Sequence, residues 1–504
     1  MTTAIVLGVD VGTSDTKVLA TTLTGVELGV VATKTQWRNR SDGGAQTDPD
    51  LLSGSVFGLL DQAVAQAVES PAVDGRIRVA AVSFTGMAEA GVLLDSAGRA
   101  AHPIIAWFDQ RGRAEMASLP DDFRAEFPRR TGLPVSAMAT LAKLLWMRSQ
   151  GTPMVGRWFS VPEYLVHRLG GAAAAELSLA SRTGLLDQDT ADIWPAAFDL
   201  LGASPTLLPP RVLAGTPLGR IDSSDVSPAL RGAVLTVAGH DHPVAAVGSG
   251  SVGADEVFDS FGTAEALVRS FDGPLDADAR DRLAGAGINA VQHVLPGRRV
   301  LLAGTKAGLL LRRTLTLLGA ADPVAREALD REAFALGASV EGAATEAFGA
   351  TVSGSDNNDG VLRITVEGDD VGPAGLWLAA LDHVITESER MLAVMAAEVG
   401  PARTAVIAGG WTRMQSVRRA KLASLPGLRF SQRSQAGAFG AAMFAAHAAD
   451  VADLMSTTGD HAAIAVDSPS GPSPEFAAAF TGSVPAPIPA ATMAGSPTPQ
   501  ESRA

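Results

Sequence analysis

Apolar residues open the chain in short blocks broken by glycine. Ile5-Val6-Leu7-Gly8-Val9 runs into Asp10, Gly12-Thr13-Ser14 interrupts, and Lys17-Val18-Leu19-Ala20 resumes. That spacing predicts two strands around a tight turn. From 51 to 69 the apolar positions recur at helical spacing, and 79–84 is another short buried strand. The pattern restarts near residue 233. A strand over 234–238 is expected to pass through the loop Gly239-His240-Asp241-His242, with Pro243 as the first helical residue. Residues 256–261 followed by Gly262-Thr263 repeat the earlier theme of strand, acid and Gly-Thr turn. A strand over 404–408 runs into Gly409-Gly410, and a helix is expected from about 414 to 424. Strands alternating with helices indicate an α/β protein, and the repeated theme suggests two related halves.

With 504 residues and 46% apolar composition, the chain suits two large domains. No uninterrupted apolar run is long enough to span a bilayer. The N-terminus lacks a basic head and reads as a buried strand, so a cytoplasmic location and no membrane partner are expected. There is no cysteine, which removes disulfides, thiol nucleophiles and cysteine-built metal sites. A net charge of −14 without a dense basic run argues against nucleic acid. Lysine occurs only at 17, 34, 143, 306 and 421, so each one merits inspection. Residues 468–504 are rich in Pro, Ala, Ser, Gly and Thr and predict a flexible tail, with an irregular strap packed back on the body as the alternative.

Asp10, Gly12, Thr13, Ser14 and Lys17 carry the first chemical signal. A glycine turn lets backbone amides approach phosphate oxygens, Thr13 and Ser14 add hydroxyls, and Asp10 at the strand end can hold a magnesium ion through oxygen. The plain alternative is an ordinary hairpin. His240-x-His242 around Asp241 offers too few ligands for a transition metal.

These residues stand among others that together resemble the FGGY carbohydrate kinases, within the actin-like ATPase superfamily. Asp10 to Lys17 is similar to the family's first phosphate loop. Met138 to Met147, with Lys143-Leu144-Leu145-Trp146, resembles its N-terminal signature, departing at Ser149. Tyr164-Leu165 through Gly171 and Ser178 to Gly184 also resemble the N-terminal domain. Gly239-His240-Asp241 is similar to the Gly-x-Asp that carries the catalytic aspartate. Ser260-Phe261-Gly262-Thr263 resembles the second phosphate loop, and Gly409-Gly410 the adenosine-binding turn, where Met414 departs from a usual small polar residue.

The resemblance implies a fold of two actin-like (ribonuclease H-like) α/β domains flanking a deep cleft. Residues 1–236 would bind the sugar and carry the first phosphate loop; 237–450 would supply the catalytic aspartate and the ATP site. It implies ATP and Mg2+ as cofactors and a hydroxyl of a small sugar or polyol as acceptor. Asp241 would be the base, Asp10 the metal ligand, and Gly12, Thr13, Ser14, Lys17, Gly262, Thr263, Gly409 and Gly410 the nucleotide contacts. Glu89, on the loop Gly86-Met87-Ala88-Glu89-Ala90, would face the substrate with His242. Trp107 and Asp109 resemble the family's Trp-x-Asp, as an apolar wall and a further acceptor. A pentulose such as xylulose is the first substrate expectation, with glycerol or a tetritol as the alternative. A non-catalytic sugar or nucleotide sensor on the same fold is the rival reading, and a homodimer stays open.

Overall fold

The computed structural model describes residues 2–339, 349–354, 361–458, 472 and 476–477. The first sheet begins as an antiparallel meander of β1 (Thr2–Val11), β2 (Asp15–Thr22) and β3 (Glu27–Lys34). Helix α1 (Pro49–Val68) follows, with Asp48 accepting from the amides of Asp50 and Leu51 and proline at the first helical position. Among the described residues α1 is the one helix long and apolar enough to cross a membrane, and its apolar side packs on β2 and β3. Strand β4 (Arg76–Gly86) lies parallel to β1. Helices α2 (Thr140–Ser149), α3 (Val161–Arg168) and α4 (Leu177–Ala180) come next, before β5 (Val234–His240) and α5 (Asp241–Gly248). The sheet order is β5-β4-β1-β2-β3. Residues 5–9 are all buried, Gly8 included, which matches their uninterrupted apolar run.

The second sheet repeats this plan. Strands β6 (Glu256–Phe261) and β7 (Glu265–Asp272) are antiparallel; β8 (Asn289–Gln292) forms the edge beside β9 (Arg298–Thr305). Helices α6 (Ala307–Leu317), α7 (Pro323–Ser339) and α8 (Pro373–Val399) lead to β10 (Thr404–Ala408), which is parallel to β6. Then come α9 (Gln415–Ser424), β11 (Arg429–Phe430) and α10 (Ala436–Thr458). The order β11-β10-β6-β7-β9 mirrors β5-β4-β1-β2-β3, with β8 added at the edge. The two Gly-Thr turns therefore occupy equivalent places, each after the central strand of its sheet.

Three expectations need correction. The boundary at 236/237 cuts through β5, which pairs with β4 from Val234 to His240, so the first unit extends through Asp241–Gly248. The helix begins at Asp241 itself, two residues before Pro243. The last helix, α10, packs on β1, β4, β5 and α5, so the segment expected to finish the second domain returns to the first. Alanine and glycine make this contact close: a β-carbon at Gly8 would collide with the backbone of Ala438 and Ala442. A helix apolar on every side must be buried on every side, and this groove accepts it.

Of the expected tail, Pro472, Phe476 and Ala477 are described; the remainder of 468–504 lies outside the described residues. These three are packed back on the body. Ala477 is fully buried with Ala441, Ala445 and Phe444, and the Phe476 ring meets His447 edge-on at 5.5 Å.

Candidate active site

The hairpin turn sits between Asp10, paired across the sheet with Lys17, and the amide of Gly12, which donates to the Asp15 carbonyl at 3.1 Å. Thr13 is held by two tryptophans. Trp37 Nε1 donates to its carbonyl at 2.7 Å, and Trp107 Nε1 donates to its hydroxyl at 2.8 Å. The Thr13 proton is left to point elsewhere. Trp107, expected as an apolar wall, thus ties the segment 107–109 to the Gly12–Ser14 turn. Ser14 is exposed.

Asp241 starts α5, where the helix dipole favours negative charge. Its Oδ1 accepts from the His242 amide at 2.8 Å and lies 3.2 Å from His240 Nε2. Burial raises its carboxyl, but His242, the His240 hydrogen bond and the His242 amide outweigh that and hold it below the ordinary carboxylate range. Asp10 behaves oppositely. Burial, reinforced by the negative charge of Asp241 and only partly offset by Lys17, pushes its carboxyl up to about 7. Two nearby carboxylates with divergent proton affinities make a site that a cation would complete. A β-carbon at Gly437 would collide with the Asp10 carboxylate, so the glycine at the start of α10 keeps that oxygen clear. These residues fit a magnesium ion held by Asp10.

Glu89 is buried and ion-paired. Arg182 Nε donates to its Oε1 at 2.8 Å, and Arg182 Nη2 donates to the same oxygen. Both charges face His242, whose imidazole is lowered by burial. Arg182, missed as a site residue, lies in a segment that the sequence had already singled out. Asp109 differs from expectation. Its Oδ1 accepts from the Arg111 amide and Nε, and its Oδ2 from the Ala45 amide at 2.8 Å and Arg111 Nη2 at 2.7 Å. Its acceptors are spent organising the loop, so it supports Trp107 and offers no lone pair to a substrate. The Lys143 ammonium, buried, donates to the carbonyls of Asp109 and Ala137.

In the second unit, Gly262 and Thr263 line a cavity of about 550 Å³ with Gly308, Arg312, Arg326, Gly410, Trp411 and Met414. Gly409 has φ +128°, and a β-carbon there would collide with Phe261; only glycine suits such a turn. Trp411 Nε1 donates to the Gly262 carbonyl at 2.9 Å, joining the two loops. Beneath them Lys421 is wholly buried, 2.8 Å from Asp259 and paired with Glu265, the residues that flank the Gly262-Thr263 turn. Ser388 and Thr305 donate to Glu265 as well. A rare lysine was the only sequence signal for this network.

The fold and these two loops define a two-unit α/β protein with a glycine turn in each unit and a buried polar cluster at Glu89, Arg182 and His242. The FGGY family of carbohydrate kinases, N-terminal domain, matches residues 5–248. The match covers the first unit, and the two-unit fold as a whole is shared with solved carbohydrate kinases. L-fuculokinase from Salmonella typhi is 28% identical over 218 residues, 41% of this chain and 45% of the relative. The chain thus spans about half the length of the curated relatives it matches. Gluconate kinase from Lactobacillus acidophilus shares the fold at a TM-score of 0.76 and 17% identity, each chain covered to 95%. Ligand-bound xylulose kinase from the same organism gives 0.76 and 18%, again over 95% of both chains.

If Glu89 reads hydroxyls of the substrate, Glu89→Ala should lower kcat/KM for the acceptor by about fivefold or more, the cost of ~1–3 kcal/mol for unmade buried hydrogen bonds. It should also lower the melting temperature, because Arg182 is left buried without its carboxylate. Steady-state kinetics with a thermal scan tests both, and unchanged values in both would remove Glu89 from the pocket.

Proposed function

We propose that this chain transfers the γ-phosphoryl group of ATP to a hydroxyl of a small sugar or polyol. The carrying observation is Asp241: an ionised carboxylate at a helix start, beside Asp10 and the first phosphate loop, and in electrostatic contact through His242 with the Glu89–Arg182 pair. Asp241 receives the proton of the acceptor hydroxyl as the new bond to phosphorus forms. The Thr13, Ser14 and Thr263 amides and the Thr13 hydroxyl orient the phosphates, with the Gly12 and Gly262 amides closing the two turns, and Trp411 and Met414 wall the nucleoside end. Magnesium held by Asp10, when bound, supplies positive charge against the phosphates. Glu89 and Arg182 together present an acceptor and a donor in one buried pocket, which suits neighbouring oxygens of a ketose or polyol better than an isolated hydroxyl. A pentulose is the leading candidate, in keeping with the xylulose kinase likeness.

The test is a coupled ADP-release assay with ATP and magnesium against xylulose, fuculose, gluconate, glycerol and a set of tetritols and aldoses. Acceptor-dependent turnover with one of them is expected. Nucleotide binding with no acceptor-dependent turnover anywhere in the panel would favour a sensor.

A further inference from the structure

The peptide unit between Gly239 and His240, immediately before Asp241, has both of its polar groups held by side-chain hydroxyls. Thr85 Oγ1 donates to the Gly239 carbonyl at 2.7 Å, and the His240 amide donates to Ser178 Oγ at 3.0 Å. Both hydroxyl residues are buried. Ser178 in turn donates to Glu176 Oε2 at 2.6 Å, an oxygen that also takes the Leu179 amide. The Glu176 amide donates to Glu163 Oε1 at 2.7 Å, and Glu163 Oε2 takes the Ser160 amide at 2.7 Å. The clamp is therefore anchored through a buried chain of hydrogen bonds to the start of α3. Gly239 has φ +106°, and a β-carbon on it would lie 2.5 Å from Ser178 Oγ and 2.8 Å from Glu176 Oε2. The backbone at this point is pressed onto the clamp, and rotating the peptide would break both bonds at once.

Thr85 stands four residues before Glu89, and Ser178 four residues before Arg182. The two short segments that orient the peptide before Asp241 are thus the same two that carry the buried ion pair of the sugar pocket. We propose that Thr85 and Ser178 are positioning residues that couple occupancy of the Glu89–Arg182 pocket to the aim of the Asp241 carboxylate. This rests on the kinase reading above. A sugar that draws on Glu89 and Arg182 pulls on segments 85–89 and 178–182, and the hydroxyls pass that displacement to the peptide that sets Asp241. A catalytic group misplaced by about 1 Å can lose roughly a hundredfold in rate, so a small displacement is enough.

Thr85→Val keeps the shape and deletes the hydroxyl; Thr85→Ser keeps the hydroxyl; Ser178→Ala removes the other half of the clamp. With the full chain, ATP, magnesium and the best acceptor of the panel, kcat should fall roughly ten- to a hundredfold in Thr85→Val and in Ser178→Ala. KM for ATP should stay within about twofold of wild type, because the deleted hydroxyls bond to the Gly239–His240 peptide and not to the Gly12–Ser14 or Gly262–Thr263 turns, and Thr85→Ser should recover most of kcat. Thr85→Val turning over at the wild-type rate, Thr85→Ser failing as badly as Thr85→Val, or the loss appearing in KM for ATP would each overturn the proposal. A wild-type chain that turns over ATP but phosphorylates no acceptor overturns the kinase reading and this inference with it. An active wild type with a silent Thr85→Val overturns this inference alone.

Discussion

Asp241→Asn should lower kcat by about 10²–10⁴-fold, the usual contribution of a general base, with nucleotide affinity nearly unchanged. The amide keeps the shape of the carboxylate and can still accept from the His242 backbone, so the start of α5 should hold. What it cannot do is take a proton. The proposed phosphate contacts at Gly12–Ser14 and Gly262–Thr263 lie on the central hairpin turns of the two sheets, and no hydrogen bond joins those turns to the Asp241 side chain among the described residues. Calorimetric titration of ATP against a kcat measured with the best acceptor separates the two effects. One secondary change is also expected. Asp241 helps to raise the Asp10 carboxyl, so removing its charge should let Asp10 ionise at lower pH. Near wild-type turnover would show that the base has been assigned wrongly.

Lys421→Met should cost about 3–5 kcal/mol of stability, the usual penalty for breaking a buried ion pair from one side. The lysine is fully buried between Asp259 and Glu265, and its loss leaves two carboxylates facing each other without a cation. Burial would lower the ammonium, but those two acids outweigh it and hold its proton firmly. The network also bears on function: Asp259 and Glu265 stand on either side of the Gly262-Thr263 turn, and Lys421 comes from the helix that follows Gly409-Gly410. KM for ATP should therefore rise in whatever folded protein survives. Denaturant unfolding of Lys421→Met beside Lys421→Met/Asp259→Asn supplies the check. The double variant should regain part of the loss because it removes one orphaned charge. A single variant as stable as wild type would mean that the network is not a structural link.

The strands and their turns were legible because the signals are local. Apolar runs broken by Gly-Thr turns at 10–13 and 261–263 became the central hairpins of two equivalent sheets, and the strand expected over 404–408 is the one found. The places of Asp10 and Asp241 in the fold were legible for the same reason, since a strand end and a helix start lie within a few residues of each. The unit boundary was not. Nothing in residues 234–240 says that the strand will pair with β4, some 150 residues earlier, and the alanine-rich stretch from 436 does not say which sheet it will cover.

The side chains separate in the same way. By itself the sequence determined which residues could do chemistry, because residue type and local spacing decide whether a loop can approach phosphate or a carboxylate can stand at a helix start. Tertiary structure alone decided which groups are free to act. Asp109 has the right type and place, yet Arg111 and the Ala45 amide consume its oxygens. Glu89 meets Arg182 across 93 residues, Lys421 meets Glu265 across 156, and Thr85 meets Gly239 across 154. The energy of such pairs comes from desolvation and from the geometry of groups brought together by the whole fold. Neither quantity is a property of any short stretch of sequence.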